Sequence, residues 1–255
     1  MTQDHSRPAG LTKRMPAIIE ATARPGKIAS TNETSRSDAR EVQQAFEYSA
    51  AKMREISQKY QAAMRLMETR LEIIDKDLSL RRYRNPIHHI ESRLKTPASI
   101  VDKLGRYGKQ VSFENMERYI LDIAGVRVIC SYIQDVYALV ETLERQDDLE
   151  IVKIKDYIAQ PKPNGYRSLH LIVRIPVYFM AKKEMVPVEI QIRTIAMDFW
   201  ASLEHGLKYK SVSEVSGIDS YDELRDCSRI IEDVERRMQI LSMALEVDDS
   251  DVEGN

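Results

Sequence analysis

Two acidic residues stand where neighbouring strands could bring their carboxylates together. Asp122 lies just before a predicted strand at residues 124–130, and Glu189 lies on the polar face of a second predicted strand at residues 186–193. Mg²⁺ takes one or two protein carboxylates and leaves its other positions to water and phosphate oxygens. The pair therefore indicates a magnesium site that acts on a phosphorylated substrate. Either acid alone would more often be a surface or ion-paired residue.

A cationic segment occupies residues 93–109. Lys103 and Arg106 lie three residues apart on one face of a predicted helix, whose N-terminus also favours anions. The segment carries five basic residues against one acid, Asp102, a local balance of +4, and the five are Arg93, Lys95, Lys103, Arg106 and Lys109. It is suited to a polyphosphate, and the alternative is a solvated basic surface.

A long loop at residues 156–168 connects predicted strands at residues 150–155 and 169–175. It is long for a passive connection between strands. Asn164 and Gly165 within it allow a sharp turn that offers backbone donors. These features make the loop a candidate for ligand binding.

Four side chains in and around this loop could contact a nucleotide. Lys155 and Lys162 supply positive charge. Tyr166 and His170 are four residues apart, and in an extended chain they face the same side. An aromatic ring can stack on a nucleobase, which is worth about 1–3 kcal/mol. The competing interpretation is a core tyrosine beside a core histidine.

The elements that would position these residues follow from the apolar periodicity. Four strands are predicted, at residues 124–130, 150–155, 169–175 and 186–193. One long helix, or two, is predicted at about residues 38–82. Further helices are predicted from Pro97 with Thr96 as the N-cap, and at residues 113–119, 134–144, 195–209 and 221–245. The pattern indicates an α+β fold, in which a mixed sheet is flanked by helices and long helices stand at both ends.

Length and composition exclude several classes of protein. The 255 residues allow one large domain or two small ones. With 43% hydrophobic residues, 9 Gly and 9 Pro, the chain is neither collagen-like nor fully disordered. No apolar run approaches the roughly 18–20 residues that span a bilayer, and no signal peptide is evident. Cys130 and Cys227 are too few for a disulfide framework. We therefore expect a cytoplasmic protein that does not enter a membrane.

Three segments are predicted along the chain. Residues 1–38 mix prolines with Ser, Thr and basic residues, and are predicted to be a disordered tail. Residues 39–245 are predicted to form the folded domain with its flanking helices. Residues 246–255 carry five acidic residues and no basic one, and are predicted to be a solvated, disordered tail.

The motifs, taken in order, resemble the synthetase domain of RelA/SpoT-type enzymes over about residues 79–210. They are Arg93-Leu94-Lys95 with Lys103, DIAGVR at 122–127, KDYIAQPKPNGYRSLH at 155–170, VEIQIRT at 188–194 and MDFWASLEHGLKYK at 197–210. No His-Asp dipeptide occurs, so the hydrolase half of the long enzymes is expected to be missing. The chain is therefore similar to the small alarmone synthetases, which are synthetases only.

The resemblance implies a GTP pyrophosphokinase of nucleotidyltransferase-like fold, active in the stringent response. Such an enzyme transfers the pyrophosphate of ATP to the 3′-hydroxyl of GDP or GTP, releases AMP and makes (p)ppGpp. Arg93 and Arg127 would sandwich the adenine, while three cations, Lys95, Lys103 and Arg106, would hold the ATP phosphates. Asp122 and Glu189 would be the catalytic pair and bind Mg²⁺, and Glu189 would also position or deprotonate the attacking hydroxyl.

The resemblance also implies an acceptor site for GDP or GTP. Tyr166 would stack on guanine in the loop that contains Asn164. Three side chains, Lys155, Lys162 and His170, would contact the acceptor phosphates, and Glu204 and Asp198 would lie near its base or ribose. Homotetramer formation is a further expectation from the resemblance, and binding of single-stranded RNA is left open.

Alternatives remain at this stage. Long synthetases often show Arg-x-Lys-Asp where this chain has Lys153-Ile154-Lys155-Asp156. Lysine lacks the bidentate fork of arginine, which leaves the choice between GDP and GTP open. A pyrophosphotransferase of the same fold could instead act on adenine nucleotides or on the tRNA 3′ end as a toxin. A non-enzymatic nucleotide-binding or RNA-binding regulator is disfavoured because both acids are present.

Overall fold

A computed structural model describes residues 34–82, 85–209 and 220–252. Six helices and five strands occur among them. In chain order they are α1 (Thr34–Arg82), β1 (Ile87–Leu94), α2 (Pro97–Arg106), α3 (Phe113–Tyr119), β2 (Ala124–Cys130), α4 (Ile133–Glu144), β3 (Glu150–Asp156), β4 (Leu169–Tyr178), β5 (Lys183–Thr194), α5 (Ile195–Tyr209) and α6 (Ser220–Val252). The α+β class with long terminal helices is confirmed.

The five strands form one mixed sheet in the order β1-β2-β5-β4-β3. The central neighbours β2 and β5 are parallel, and the other three pairs are antiparallel. In the parallel register Gly125 lies opposite Glu189, and Arg127 lies opposite Gln191. Strand pairing therefore brings the two sequence motifs that contain the candidate acids side by side.

Alternation along β4 and β5 separates a buried apolar face from a polar face. Leu171, Val173, Val188 and Ile190 are fully buried, whereas Glu189 between the last two is only partly buried. The helices α4 and α5 lie against β2 and β5. Burial of these apolar side chains stabilises the packing of one face of the sheet. Because side chains alternate along each strand, the other face remains available for polar groups.

The predicted strands and most of the helices are confirmed, with shifts of a few residues at their ends. The strand β1 was not predicted. It forms an edge of the sheet, and seven of its eight residues are exposed or partly exposed in no simple alternation, so it carries a weak periodic signal. The strand pairs with β2 in antiparallel register and places Arg93 opposite Gly125.

The two long helices extend past their predicted ends. The helix α1 begins at Thr34, inside the predicted tail of residues 1–38, and α6 continues to Val252, inside the predicted tail of residues 246–255. Both corrections have the same reason, because no glycine or proline interrupts residues 28–85 or 220–253 and a helix propagates once it has formed. Residues 1–33 and 253–255 lie outside the described residues.

The chain divides into two compact units. The first contains α1 up to Ile56 together with α2 and α3, and the second contains the rest of α1, the whole sheet and α4 to α6. Within the described part of the chain, no helix is long and apolar enough to cross a membrane.

An ion pair between α1 and the turn before β3 should make the stability of the second unit depend on pH. Arg70 binds both carboxylate oxygens of Asp148 at 2.6 Å, and these hydrogen bonds lower the pKa of Asp148 below its ordinary value. A lowered carboxyl pKa contributes stability above the unfolded-state pKa of about 3.9, and this contribution is lost as the pH falls below it.

The Asp148→Asn variant should therefore be less stable than wild type by about 0.5–1 kcal/mol at pH 7, a modest loss because the pair is partly solvated. The difference should be smaller at pH 3 than at pH 7, because it is lost as the pH falls through the lowered folded-state pKa of Asp148. Urea unfolding at the two pH values measures it. A difference that stayed constant with pH would show that the ion pair is not its source.

Candidate functional site

A cavity of about 500 Å³ lies where β1, β2 and β5 run side by side. Its lining is strongly charged and polar. It contains three basic residues, Arg93, Lys95 and Arg127, three acids, Glu91, Asp122 and Glu189, and the amide of Gln191. The cavity is thus suited to an anionic ligand that is bound together with a cation.

The two predicted catalytic acids line this same cavity. Asp122 lies two residues before β2, and Glu189 lies in the middle of β5, the parallel neighbour of β2. Lys95 Nζ lies 3.0 Å from Asp122 Oδ2. The two adjacent strands therefore bring both acids to one cavity.

Glu189 is held as a carboxylate by its neighbours. Burial raises the pKa of this group, but the neighbouring His170 and a hydrogen bond from Gln191 together outweigh burial, so that the net pKa lies below its ordinary value. The charge of Asp122 opposes this effect by raising the pKa of Glu189. Mutual repulsion of two nearby acids is the condition that a divalent cation relieves.

The available ligands are better suited to Mg²⁺ than to a transition metal, which usually takes three or four protein ligands. Across residues 34–82, 85–209 and 220–252, no group of three or more His, Cys, Asp or Glu side chains could hold a metal ion. Two carboxylates in an open, cation-lined cavity leave room for water and phosphate oxygens, which Mg²⁺ retains as ligands. Asp122 and Glu189 are the residues that would hold it.

The predicted adenine-binding arginines reach the cavity from two neighbouring strands. Arg93 comes from β1 and Arg127 from β2, and Arg127 Nη1 lies 3.2 Å from Glu91 Oε2. Arg93 is exposed and Arg127 is partly exposed. Lys103 and Arg106 lie on α2 in the other unit, so their contact with ATP phosphates stays a prediction.

Hydrogen bonds connect Tyr166 in the loop at residues 157–168 to Arg193 on β5 and His170 on β4, close to Glu189. Arg193 Nη2 donates to the Tyr166 hydroxyl at 2.7 Å, and the same hydroxyl lies 2.9 Å from His170 Nε2. Because arginine can only donate, the Tyr166 hydroxyl accepts from Arg193. The other ring nitrogen of the histidine, His170 Nδ1, lies 3.6 Å from Glu189 Oε1.

The ring of Tyr166 lies beside cationic groups. Lys162 Nζ is 4.3 Å and Arg193 Cζ is 5.2 Å from the ring centroid. Lys155 is exposed on β3, in register with His170 on β4. The predicted acceptor residues Lys155, Lys162, Tyr166 and His170 therefore belong to one region of the second unit.

The remaining predicted acceptor residues make contacts within the protein. Asn164 and Glu204 are buried, and Asn164 Nδ2 donates to Glu204 Oε1 at 3.0 Å. Asp198 accepts a hydrogen bond of 3.2 Å from Arg193 Nη1. The first pair fixes the turn before Tyr166, and the second holds the arginine that contacts the Tyr166 hydroxyl.

Sequence reasoning missed Gln191 and Arg193 as site residues. Both lie on β5 with the same parity as Glu189, so the signal was present in the alternation of the strand. Gln191 Nε2 donates to Glu189 Oε2 at 2.8 Å, and Gln191 Oε1 accepts from Arg193 Nη2 at 3.2 Å. The polar face of β5 therefore acts as one continuous support for the acceptor loop and the acid.

The α+β fold and the two-acid, cation-lined cavity define a nucleotidyltransferase-like enzyme. A model of the region found in RelA / SpoT proteins matches residues 92–214. The GTP pyrophosphokinase YwaC of Bacillus subtilis is 48% identical over 189 residues, which are 74% of this chain and 89% of that protein. The chain belongs to the RelA/SpoT family, among its small alarmone synthetases.

Solved structures of small alarmone synthetases share the fold. Small alarmone synthetase 2 from Bacillus subtilis matches with a TM-score of 0.67 at 44% identity, covering 75% of this chain and 98% of that one. Small alarmone synthetase 1 from the same organism, bound to its product pppGpp, matches with a TM-score of 0.67 at 31% identity, covering 75% and 96%. The resemblance expected from the motifs is thus confirmed.

Proposed function

We propose that this chain is a (p)ppGpp synthetase, a GTP pyrophosphokinase that uses ATP as donor and GDP or GTP as acceptor. The observation that carries the proposal is the placement of Asp122 and Glu189 in one cavity with Arg93, Lys95 and Arg127. The relatives support it, since they are GTP pyrophosphokinases and one structure holds pppGpp. They disfavour adenine nucleotides or tRNA as acceptors.

At phosphorus the reaction forms one P–O bond and breaks one, and a proton is transferred from the acceptor hydroxyl. The acceptor 3′-oxygen attacks the β-phosphorus of ATP, the bond from that phosphorus to the oxygen bridging the α- and β-phosphates breaks, and AMP leaves. The hydroxyl proton passes to Glu189, whose lowered pKa keeps it ionised at neutral pH. Most of the remaining catalysis is alignment and charge neutralisation.

Each group of residues has a proposed role in this reaction. Arg93 and Arg127 bind adenine, while Lys95, Lys103 and Arg106 bind the ATP phosphates. Mg²⁺, held by Asp122 and Glu189, would neutralise the charge that develops on phosphate oxygens. In the acceptor site, Tyr166 stacks on guanine, Lys155, Lys162 and His170 contact phosphates, and the loop is supported by Asn164, Asp198 and Glu204.

A product assay tests the activity. The protein is incubated with ATP, Mg²⁺ and, in separate reactions, GDP, GTP, ADP or ATP as acceptor, and the products are separated by anion exchange. We expect AMP together with a 3′-pyrophosphorylated guanine nucleotide, and we expect EDTA to abolish both. A reaction that yields neither product from GDP or GTP would refute the proposal.

Stacking on Tyr166 gives a prediction for acceptor binding. Replacing Tyr166 with alanine should raise the KM for GDP or GTP about 10–100-fold, since stacking is worth about 1–3 kcal/mol per base. The KM for ATP should not change. Tyr178→Ala, at the exposed end of β4, is the control. An unchanged acceptor KM in Tyr166→Ala would remove this residue from the acceptor site.

Homotetramer formation in the cytoplasm completes the proposal. Its support is the apolar surface on α5 and α6, whose exposed residues recur at helical spacing and include Phe199, Leu203, Ile230, Val234, Met238 and Leu241. Light scattering at micromolar concentration measures the assembly, and a monomer there would contradict it.

A further inference from the structure

The residues on both sides of Tyr166 are held by the helix α6. On one side, Ser228 Oγ donates a hydrogen bond of 2.6 Å to the carbonyl oxygen of Gly165. On the other side, Arg167 Nη1 donates to Glu235 Oε2 at 3.1 Å. The side chains of Arg167 and Glu235 are 5% and 3% exposed, so this ion pair is buried. Tyr166 therefore lies between two fixed points on one helix.

The helix also lies against the loop backbone. Gly165 has a φ of +87°, and a Cβ atom added there would lie 2.7 Å from Ser228 Cβ and 3.1 Å from Arg225 Cα. One turn earlier, the carbonyl oxygen of Leu224 accepts a hydrogen bond from Trp200 Nε1 at 2.9 Å. The Trp200 ring is itself 6.4 Å from the Tyr166 ring, centroid to centroid.

This support comes from outside the region that defines the family. The family model matches residues 92–214, whereas α6 spans Ser220–Val252. The acceptor loop is thus inside the matched region, and the helix that holds it is beyond that region. The residues on α6 were not assigned to the site from the sequence.

We propose that Glu235 is a positioning residue of the acceptor site. Through its buried ion pair with Arg167, it fixes the backbone that follows Tyr166, so that the ring is in place before the purine binds. Fixing a binding loop in advance lowers the entropy lost on association, and this gain is specific to the ligand that the loop binds. The inference rests on the proposed function, because guanine is taken to stack on Tyr166.

A matched pair of variants tests the proposal. Glu235→Gln removes the charge and keeps the shape, which leaves the buried Arg167 without its close carboxylate. Glu232→Gln is the control, because Glu232 contacts the same arginine at 3.6 Å but its side chain is 49% exposed. Both are compared with wild type for the KM of GDP, the KM of ATP and kcat.

For Glu235→Gln we expect the KM for GDP to rise about tenfold, with the KM for ATP and kcat at saturation within about twofold of wild type. Glu232→Gln should resemble wild type in all three. Trp200 is the single tryptophan of the chain, and its emission, titrated with GDP in the absence of ATP, should report the same loss of affinity without turnover.

Three results would overturn the positioning role or the function beneath it. An unchanged KM for GDP in folded Glu235→Gln, or an equal rise for GDP and ATP, rejects the positioning role while wild-type activity upholds the proposed function. If wild type forms no product, the proposed function itself fails. If circular dichroism shows that Glu235→Gln does not fold, the same measurements are made on Arg167→Lys. This variant keeps the positive charge but loses the bidentate guanidinium group, and an unchanged KM for GDP in it would reject the positioning role.

Discussion

Replacing Glu189 with glutamine should lower kcat by about 10²–10⁴-fold, the range that a positioned general base contributes. The variant keeps the size of the side chain but cannot accept a proton, and it removes one of the two carboxylates proposed for Mg²⁺. The hydrogen bond of 2.8 Å from Gln191 needs only an oxygen acceptor at position 189. We therefore expect a folded protein with almost no product.

Glu184→Gln provides the matched control for this result. Glu184 lies on the same strand, but its contacts are with Lys59 and Lys182 and not with the cavity. Product formation is measured by anion exchange, and circular dichroism verifies the fold of each variant. If Glu189→Gln retained more than a tenth of wild-type kcat, Glu189 could not be the base.

Local pattern was sufficient for most elements of the fold. On β5, Val188 and Ile190 alternate with Glu189 and Gln191, and burial follows the same alternation. The strand β1 escaped detection because an edge strand has one neighbour and buries little, so its side chains are not sorted by polarity. The predicted ends of α1 and α6 lie inside the observed helices. The polar and charged composition of the flanking residues indicated solvated tails, but a polar segment can still continue a helix that has already formed.

The candidate site depends on long-range contacts that the periodicity of the sequence does not predict. Asp122 and Glu189 line the same cavity because β2 and β5 are parallel neighbours, although β3 and β4 lie between them in the sequence. The hypothesis of adjacent strands anticipated this arrangement, and the motif resemblance made it specific. The supports of the loop were not visible, since Ser228 and Glu235 are 63 and 68 residues from their partners Gly165 and Arg167.

Gly165→Ala should be the most damaging small substitution in the acceptor loop. A side chain at a φ of +87° is strained, at about 1–2 kcal/mol for left-handed backbone. The new methyl would also lie 2.7 Å from Ser228 Cβ and 3.1 Å from the backbone of α6 at Arg225, and overpacking of this kind costs about 1–3 kcal/mol. We expect a total loss of about 2–5 kcal/mol in the free energy of unfolding.

Further variants separate the causes of that loss, by urea unfolding followed with circular dichroism. Gly108 has a φ of +63° with no atom within 4 Å of an added Cβ, so Gly108→Ala should show the backbone cost alone. Ser228→Gly alone removes the hydrogen bond to the Gly165 carbonyl and places a glycine in a helix, so it is measured as the reference for the double variant. On the Ser228→Gly background the nearest clash is absent and the contact at Arg225 remains, so Gly165→Ala should cost less there than in wild type. If Gly165→Ala cost no more than Gly108→Ala, the loop backbone at Gly165 would not lie in close contact with α6.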